Sequence, residues 1–360
     1  MARQFNTDCE GPISKNDNAQ ELTSIFVPEG GAFFARVSKY DDYLADVVRK
    51  SGYKAGDTLR LILPFLRAYG ATNEKIEAYS ADHILLVPGA KATMEYIGGR
   101  MPAFIISTSY RPYIHALCEV IAFPEEHTYC TELDIDRYAL SDEEVAKIKA
   151  LAEEIRALPI LELPSDAATL RDLPRESQEV VERLNAIFWE EIPRMACGRM
   201  LNDVNPVGGI EKANALRDSL KRTGNALEDA MYVGDSITDV QAFDLVRQHG
   251  GAAVSFNGNR YALHAAEIAC MADHTAVISI LAQVFLEQGK ASLLELARRW
   301  SPSTAEKLGV EATLLEEVFS ECRHIPPKVA LISENDRDHL IEESEKIRKE
   351  VRGEKVGKLG

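Results

Sequence analysis

Short apolar runs alternate with stretches of helical periodicity along this 360-residue chain. This alternation is typical of βαβ units built around a parallel sheet. The clearest strand candidates are almost continuously apolar, as expected for strands covered on both faces: residues 103–106 (AFII), 230–233 (AMYV) and 252–255 (AAVS). Residues 3–7 form a weaker candidate, because Phe5 is their only apolar side chain. The pattern therefore predicts an α/β fold.

Two long segments of helical character interrupt these units. In residues 16–99, a paired glycine precedes one helical run, and residues 59–66 are apolar almost all round, as in the middle of a helical bundle. Residues 139–196 form a second insert, in which Ser141 and Glu144 have capping-box spacing. Helical periodicity returns after Lys290. We predict an α/β core of residues 1–15, 100–138 and 197–290, and a C-terminal helical extension of residues 291–360.

The charge balance bears on the class of partner. Acidic residues number 57 against 41 basic ones, which gives a formal net charge of −16. Such a protein repels nucleic acids and anionic membranes, so we expect neither as a partner. Six scattered cysteines without a C-x-x-C pair argue against a zinc site or a disulfide framework. The N-terminal residues have no apolar run, and no stretch is apolar enough to span a bilayer. We expect a cytoplasmic protein without a membrane span.

Two polar motifs follow the first strand candidates. Asp8 and Glu10 stand directly after residues 3–7, and Gly11 allows a sharp turn. One carboxylate of such a pair can attack or bind metal while the other transfers a proton, although a solvated turn is the simpler interpretation. Ser107 and Thr108 follow residues 103–106 and can bind a phosphate oxygen or cap the next helix.

Two further motifs lie in the second half of the core. Lys212 falls in the first turn of a predicted helix, where a cation is disfavoured, so it is either solvated or paired with an anion. Asp235 follows residues 230–233, and Asp239 lies one helical turn later on the same face. Two carboxylates placed in this way can hold Mg²⁺, although helix capping also explains them. Because ligands bind at the carboxyl ends of parallel strands, we expect all four motifs to meet at one edge of the sheet.

This order of groups resembles the four sequence motifs of the haloacid dehalogenase (HAD)-like hydrolase superfamily. The resemblance is specific at Gly234-Asp235-x3-Asp239, moderate at Asp8-x-Glu10-Gly11 and looser at Ser107 and Lys212. Around these last two residues it is closest to the phosphoserine-phosphatase branch. It implies a Rossmann-like parallel sheet core, with residues 16–99 in the place of a helical cap domain.

The resemblance also implies a role for each motif residue. Asp8 is expected to be the nucleophile, and Glu10 the residue that protonates the leaving group and then activates water. Mg²⁺ is expected on Asp8, Glu10 through its carbonyl, and Asp235, with Asp239 in support. Ser107, Thr108 and Lys212 are expected to hold the phosphoryl group, and Lys212 also to keep Asp8 ionised by lowering its pKa. Candidate substrate contacts are Arg36, Tyr40, Tyr43, Arg67 and Arg111.

The leading hypothesis is a Mg²⁺-dependent phosphomonoester hydrolase that forms an aspartyl-phosphate and acts on a small phosphorylated metabolite. The alternative is a catalytically weak HAD-like subunit that binds a partner protein. Pro12, the second insert and the charged C-terminal helix favour this alternative. A protein partner or a second copy of the chain could bind through residues 139–196 or that helix. Phosphotransfer to an acceptor other than water also stays open.

Overall fold

A computed structural model describes residues 3–164, 166–321, 325–354 and 356–358. Cys322 and a few positions of the predicted C-terminal extension lie outside the described residues. Within these ranges the strands form one sheet. They are β1 (Gln4–Thr7), β2 (Ala103–Tyr110), β3 (Thr128–Thr131), β4 (Ala230–Gly234), β5 (Ala252–Phe256), β6 (Ile268–Met271) and β7 (Lys328–Leu331).

The sheet order places the first strand at the centre. The strands run in the order β3-β2-β1-β4-β5-β6-β7, and each neighbouring pair is parallel except β6 and β7. Phe5 pairs with Ala103 on one side and with Met231 on the other. This arrangement confirms the predicted α/β fold with a parallel sheet core. The sequence pattern did not reveal β3, β6 and β7, which are only four residues long.

The weakly apolar β1 is nevertheless fully buried. Its polar side chains are satisfied by hydrogen bonds rather than by water. The Gln4 amide donates to the hydroxyl of Ser219 (2.8 Å) and accepts from Thr223 (2.6 Å), and the Asn6 amide donates to the carbonyl of Met231 (3.2 Å). Buried polar groups are tolerated when they are paired in this way. A polar strand can therefore occupy the middle of this sheet.

The α-helices lie on both sides of the sheet and in two excursions between its strands. They are α1 (Asn18–Phe26), α2 (Gly30–Asp42), α3 (Thr58–Ala68), α4 (Asn73–Asp82), α5 (Ala90–Gly98), α6 (Arg111–Ile121), α7 (Asp142–Ala157), α8 (Arg175–Ala186), α9 (Met200–Asp203), α10 (Ile210–Thr223), α11 (Val240–Gln248), α12 (Arg260–Ala265), α13 (Ala276–Gln288), α14 (Lys290–Arg298), α15 (Pro302–Lys307), α16 (Ala312–Glu321) and α17 (Arg337–Arg352). Two π-helical segments, Tyr43–Val47 and Ile187–Glu191, continue α2 and α8.

The two excursions pack together. Helices α1–α4 and α7–α9 share one hydrophobic cluster, in which Phe33, Phe65 and Phe188 are fully buried. We call these helices the helical body. The ring centroids of Phe65 and Phe188 lie 6.1 Å apart. The contact between these two rings connects the first excursion directly to the second. Helix α5 instead contributes Ala90, Met94 and Ile97 to the cluster that covers the sheet. The segment predicted as residues 16–99 is thus divided between the helical body and the core cluster.

The C-terminal residues return to the sheet. Strand β7 pairs antiparallel with β6, although the sequence pattern of this region predicts helix alone. Helix α17 then packs Leu340 and Ile347 against Leu263, Ala269 and Met271. It ends beside the carboxyl ends of the central strands. Among the described residues, the helices are all too short or too polar to cross a bilayer.

Candidate active site

The four sequence motifs meet at the carboxyl ends of β1, β2 and β4. Asp8 directly follows β1, and its amide donates to the carbonyl of Val233 in β4 (2.8 Å). Oxygen atoms from the carboxylates of Asp8, Asp235 and Asp239 lie within 4.8 Å of one another. All three residues are buried. The edge predicted from the strand pattern therefore carries a compact acidic cluster.

Lys212 lies inside this cluster. Its side chain is fully buried, and its Nζ lies 2.6 Å from Oδ2 of Asp8 and 2.7 Å from Oδ1 of Asp239. Burial opposes the charged form, but the carboxylates of Asp239 and Asp8 raise the pKa of Lys212 above its ordinary value. The alternative that Lys212 is a solvated surface lysine is therefore wrong. Lys212 is a charged ammonium group held between two aspartates.

Asp8 is more deeply buried than the sequence suggested. Its pKa is raised to about 7, mainly by burial, and the neighbouring Asp239 and Asp235 contribute to this shift. Lys212 lowers this pKa, as the family resemblance implied, but burial outweighs that effect. The backbone amide of Cys9 donates to Oδ1 of Asp8 (2.7 Å), which fixes the orientation of the carboxylate.

Asp239 is fully engaged by its surroundings. Its Oδ1 accepts from Lys212 and from the hydroxyl of Tyr232 (both 2.7 Å). Its Oδ2 accepts from the amides of Asp235 (2.9 Å) and Ser236 (3.0 Å). A Cβ at position 234 would come within 2.5 Å of this carboxylate, which explains the glycine there. Asp239 therefore shapes the turn after β4 and holds Lys212, and each of its oxygens already accepts at least two hydrogen bonds.

Asp235 points toward the loop that follows β1. A Cβ on Gly11, whose φ is +104°, would come within 2.1 Å of Oδ2 of Asp235. Only glycine leaves this space, and only glycine adopts this φ without strain. Asp235 and Asp8 thus present carboxylate oxygens to a common small space. Oxygen donors of this kind suit a hard divalent cation, so the residues present fit a magnesium site.

Glu10 turns away from the aspartates. Its Oε1 accepts from the backbone amide of Asn18 (2.8 Å) and from the hydroxyl of Ser109 (2.7 Å). Burial, reinforced by the nearby carboxylate of Asp17, raises the pKa of Glu10 to about 8, and Arg352 partly opposes this shift. The carboxyl of Glu10 can therefore hold a proton near neutral pH, at a cavity that Asp8 and Asp235 also line.

The residues at the end of β2 divide into two kinds. The hydroxyl of Ser107 is fully buried and accepts from the amide of Ser109 (3.1 Å), so Ser107 braces the irregular last part of β2. Thr108 and Ser109 line the cavity of the site. The hydroxyl oxygen of Thr108 is buried without a hydrogen-bond partner among the described residues. An orphaned hydroxyl beside a cavity is a ready partner for a ligand oxygen.

The cavity has a volume of about 110 Å³ and is bounded by three parts of the chain. Core residues form its floor, helical-body residues form its roof, and the end of α17 closes one side. The roof is formed by Ala19, Phe34, Ser38, Asp41, Asp42, Gly56, Thr58 and Leu59. The helical body also touches the core directly, since the hydroxyl of Tyr110 in β2 donates to the carbonyl of Leu59 (2.6 Å).

The five candidate substrate contacts all lie elsewhere. None of them is among the described residues that line the cavity. Tyr40 is buried, accepts from the indole of Trp189 (2.8 Å) and stacks near Tyr43. The guanidinium of Arg36 donates to the carbonyl of Leu158 (2.5 Å). The remaining two form ion pairs, Arg67 with Asp136 (2.9 Å) and Arg111 with Glu125 (2.9 Å) and Glu132. These side chains hold the structure together.

Sequence reasoning missed several residues of the site. Arg348 and Arg352 of α17 both contact Asp235, although they are 113 and 117 residues away along the chain. Their spacing of four residues puts them on one face of the helix, which was the available signal. Asp17 caps α1 by accepting from the amide of Gln20 (2.9 Å) and also lines the cavity. Its cap position was readable from the sequence, but its position in the site was not.

Comparisons with known proteins bear mainly on the fold. No family model and no curated protein matches the chain. Among solved structures, gene product AF1437 from Archaeoglobus fulgidus is similar over 100% of this chain and 99% of its own, with a TM-score of 0.78 and 28% identity. A substrate-bound phosphoserine phosphatase complex is similar over 75% of this chain and 92% of its own, with a TM-score of 0.41 and 14% identity.

A HAD family hydrolase from Salmonella enterica serovar Typhi is also found, over 71% of this chain and 62% of its own, with a TM-score of 0.42 and 10% identity. The similarity to AF1437 over the whole chain shows a shared α/β fold around a mostly parallel sheet. The parallel sheet core and the meeting of the acidic motifs at the carboxyl ends of β1 and β4 agree with what the sequence predicted. The α/β core thus carries the candidate site, and the helical body covers it.

Proposed function

We propose that this protein is a magnesium-dependent phosphomonoester hydrolase in which Asp8 is the nucleophile. The observation that carries the proposal is the position of Asp8. It lies at the end of the central strand, beside Asp235 and in contact with the buried Lys212, at the floor of a covered cavity. An anionic nucleophile, a cation and a metal-binding carboxylate are the parts that phosphoryl transfer requires.

The proposed reaction has two steps, formation of an aspartyl-phosphate and its hydrolysis. In the first, an oxygen of Asp8 forms a bond to phosphorus while the bond from phosphorus to the ester oxygen breaks. Glu10 gives its proton to the departing oxygen, which leaves as an alcohol. In the second, water attacks the phosphorus of the aspartyl-phosphate, and Glu10 accepts a proton as the bond to Asp8 breaks. The hydrogen bonds from Asn18 and Ser109 hold the Glu10 carboxyl at the cavity for both transfers.

Charge neutralisation comes from two sources. Mg²⁺, when bound by Asp8, Asp235 and the backbone carbonyl of Glu10, supplies positive charge to the phosphoryl oxygens. Lys212 supplies a second cation beside Asp8, and Asp239 holds that lysine in place. The hydroxyl of Thr108 offers a hydrogen bond to a phosphoryl oxygen. Ser107 supports the end of β2 from behind and is not proposed as a direct contact.

The cavity supports a small phosphorylated metabolite as the substrate. Its volume of about 110 Å³ is well below that of pockets for drug-sized ligands, which have on the order of 300–1,000 Å³. Phe34 and Leu59 in the roof exclude water from the reacting group. The helical body therefore acts as the cap that the family resemblance implied.

The test is hydrolysis of a panel of small phosphate esters with Mg²⁺ present, comparing the native protein with Asp8→Asn. We expect turnover to vanish in the variant, because an amide is not an effective nucleophile toward phosphorus. A variant at Asp244, an exposed residue paired with Arg247 outside the site, provides the matched Asp→Asn control and should keep its activity. Equal activity of native and Asp8→Asn proteins would contradict the proposal.

The alternative of a partner-binding subunit gains no specific support from the structure. The second insert, which motivated it, has Leu151, Val181 and Phe188 buried in the helical body. Pro12 lies in the turn after β1, where no strand partner needs its amide. Silence of the native protein across the ester panel, with Mg²⁺ bound, would favour that alternative.

A further inference from the structure

Two arginines from the C-terminal helix occupy one carboxylate of the proposed metal site. Nη1 of Arg348 donates to Oδ2 of Asp235 at short range, and Nη1 of Arg352 donates to the same oxygen (3.0 Å). Arg348 also donates to the backbone carbonyl of Asp235 (3.2 Å). Both guanidinium groups are almost completely buried, with side-chain exposures of 3% and 5%. These contacts are therefore inside the site and not on its rim.

The arginines are held by more than Asp235. Arg352 donates to the backbone carbonyls of Asn16 (2.5 Å) and Lys15 (3.3 Å), in the loop that follows the motif of Asp8. Ser344, one turn before Arg348, donates to the carbonyl of Gly258 (2.7 Å). Helix α17 is thus fastened along its length, and its last two turns end against the acidic cluster.

A divalent cation on Oδ2 of Asp235 competes directly with this arrangement. The cation would need the lone pairs of the oxygen that both guanidinium groups use, and positive charges that share one carboxylate repel one another. With the arginines in place, the carboxylates of Asp8, Asp235 and Asp239 face three cationic side chains, Lys212, Arg348 and Arg352. The cluster then has little net attraction for another cation. If the arginines leave, two negative charges remain unbalanced.

We propose that Arg348 and Arg352 are built-in competitors of the divalent cation at Asp235, so that metal binding requires their displacement and loosens the end of α17. The inference rests on the proposed function, because it takes Asp235 as a ligand of that metal. Its consequence is a C-terminal helix that controls the fraction of molecules able to bind metal. An affinity is weakened in proportion to the fraction of molecules in the competent state.

The first experiment measures Mg²⁺ and Mn²⁺ binding by calorimetry on the full-length native protein and on the double variant Arg348→Gln/Arg352→Gln. We expect the variant to bind the cation at least tenfold more tightly. Lys346→Gln is the control, because it removes a positive charge from the exposed face of the same helix, where Lys346 lies 3.9 Å from Glu350. That control should change the dissociation constant less than twofold.

The second experiment uses the native protein and so does not depend on how the variant folds. Amide hydrogen exchange of residues 345–352 is measured with and without saturating Mg²⁺. The proposal expects faster exchange with the cation, because the contacts that fasten the helix end are lost. Unchanged or slower exchange in the cation-bound protein would overturn it.

The outcomes separate the two proposals. Equal cation affinity of the native and double-variant proteins overturns the competition and leaves the hydrolase proposal standing. An unchanged affinity with a raised KM for esters would also overturn it, and would assign the arginines to an anionic group of the substrate. Failure of both proteins to bind any divalent cation would remove the metal site itself, and with it both proposals.

Discussion

The acidic cluster has two sides that are built differently. On the Lys212 side, Asp239 is bonded to Tyr232, to the amides of Asp235 and Ser236, and to the lysine. Apart from Lys212, all these partners lie within seven residues of Asp239. On the arginine side, Asp235 is paired with a helix more than 110 residues away, which contributes Arg348 and Arg352.

This difference indicates which of the two sides can lose its cationic partner while the core stays folded. Removing Lys212 from its place would leave two buried carboxylates unpaired, and the core of the sheet would have to rearrange. Moving the end of α17 breaks contacts of its last two turns, and a cation bound at Asp235 would replace the positive charge that this carboxylate loses. We therefore regard the Lys212 side as a permanent part of the site and the arginine side as an exchangeable one.

The largest effect should follow a break in the Lys212 side. In Lys212→Gln, Asp8 and Asp239 lose their shared cation in a buried environment. We expect a loss of unfolding free energy of about 3–5 kcal/mol, measured by urea denaturation, together with loss of ester hydrolysis. Lys290→Gln, which breaks a partly exposed pair with Glu267, is the control and should cost no more than about 1 kcal/mol. Similar costs for the two variants would contradict a permanent Lys212 side.

A second prediction concerns Glu10, which lies near the arginine side. Glu10→Gln keeps the hydrogen-bonding shape but cannot transfer a proton. We expect turnover to fall by about 10²–10⁴, measured under saturating substrate and Mg²⁺, with little change in the thermal midpoint. The control Glu125→Gln removes an exposed carboxylate paired with Arg111 and should keep near-native turnover. A fall of less than about threefold for Glu10→Gln would remove its role as proton shuttle.

A third prediction extends the comparison to the roof of the cavity. Asp41 accepts hydrogen bonds from neutral groups, the hydroxyl of Tyr53 (2.5 Å) and the amides of Gly56 (3.2 Å) and Thr58 (3.0 Å). Burial raises the pKa of Asp41 to about 7. Between about pH 4 and pH 7 the unfolded chain loses this proton while the folded protein keeps it, so the contribution of Asp41 to stability falls as pH rises.

Removal of that carboxylate should therefore change how the unfolding free energy depends on pH. The unfolding free energy of Asp41→Asn minus that of the native protein should increase from about pH 4 to pH 7, by at most about 1.4 kcal/mol per pH unit, and then level off. Denaturation at a series of pH values measures it, with exposed Asp82→Asn as the control. A difference that does not vary with pH would show that Asp41 is not held in its protonated form.

The α/β fold and the meeting of the four motifs were predictable because both depend on local patterns. Apolar runs marked β2, β4 and β5, and parallel strands bring their carboxyl ends to one edge. Strand β1 was weak in the sequence because Gln4 and Asn6 are polar. Its place in the sheet depends on Ser219 and Thr223 of α10, which satisfy those side chains from more than 200 residues away.

The sequence by itself determined the types and order of the chemical groups: Asp8 and Glu10, Lys212, then Asp235 and Asp239. The tertiary structure alone decided which of them are engaged and by what. It paired Asp235 with α17, surrounded Asp239 with hydrogen bonds, and buried Asp8 enough for burial to outweigh Lys212 in setting its pKa. Desolvation and long-range pairing arise only when distant segments pack together, and a local pattern of residues does not contain them.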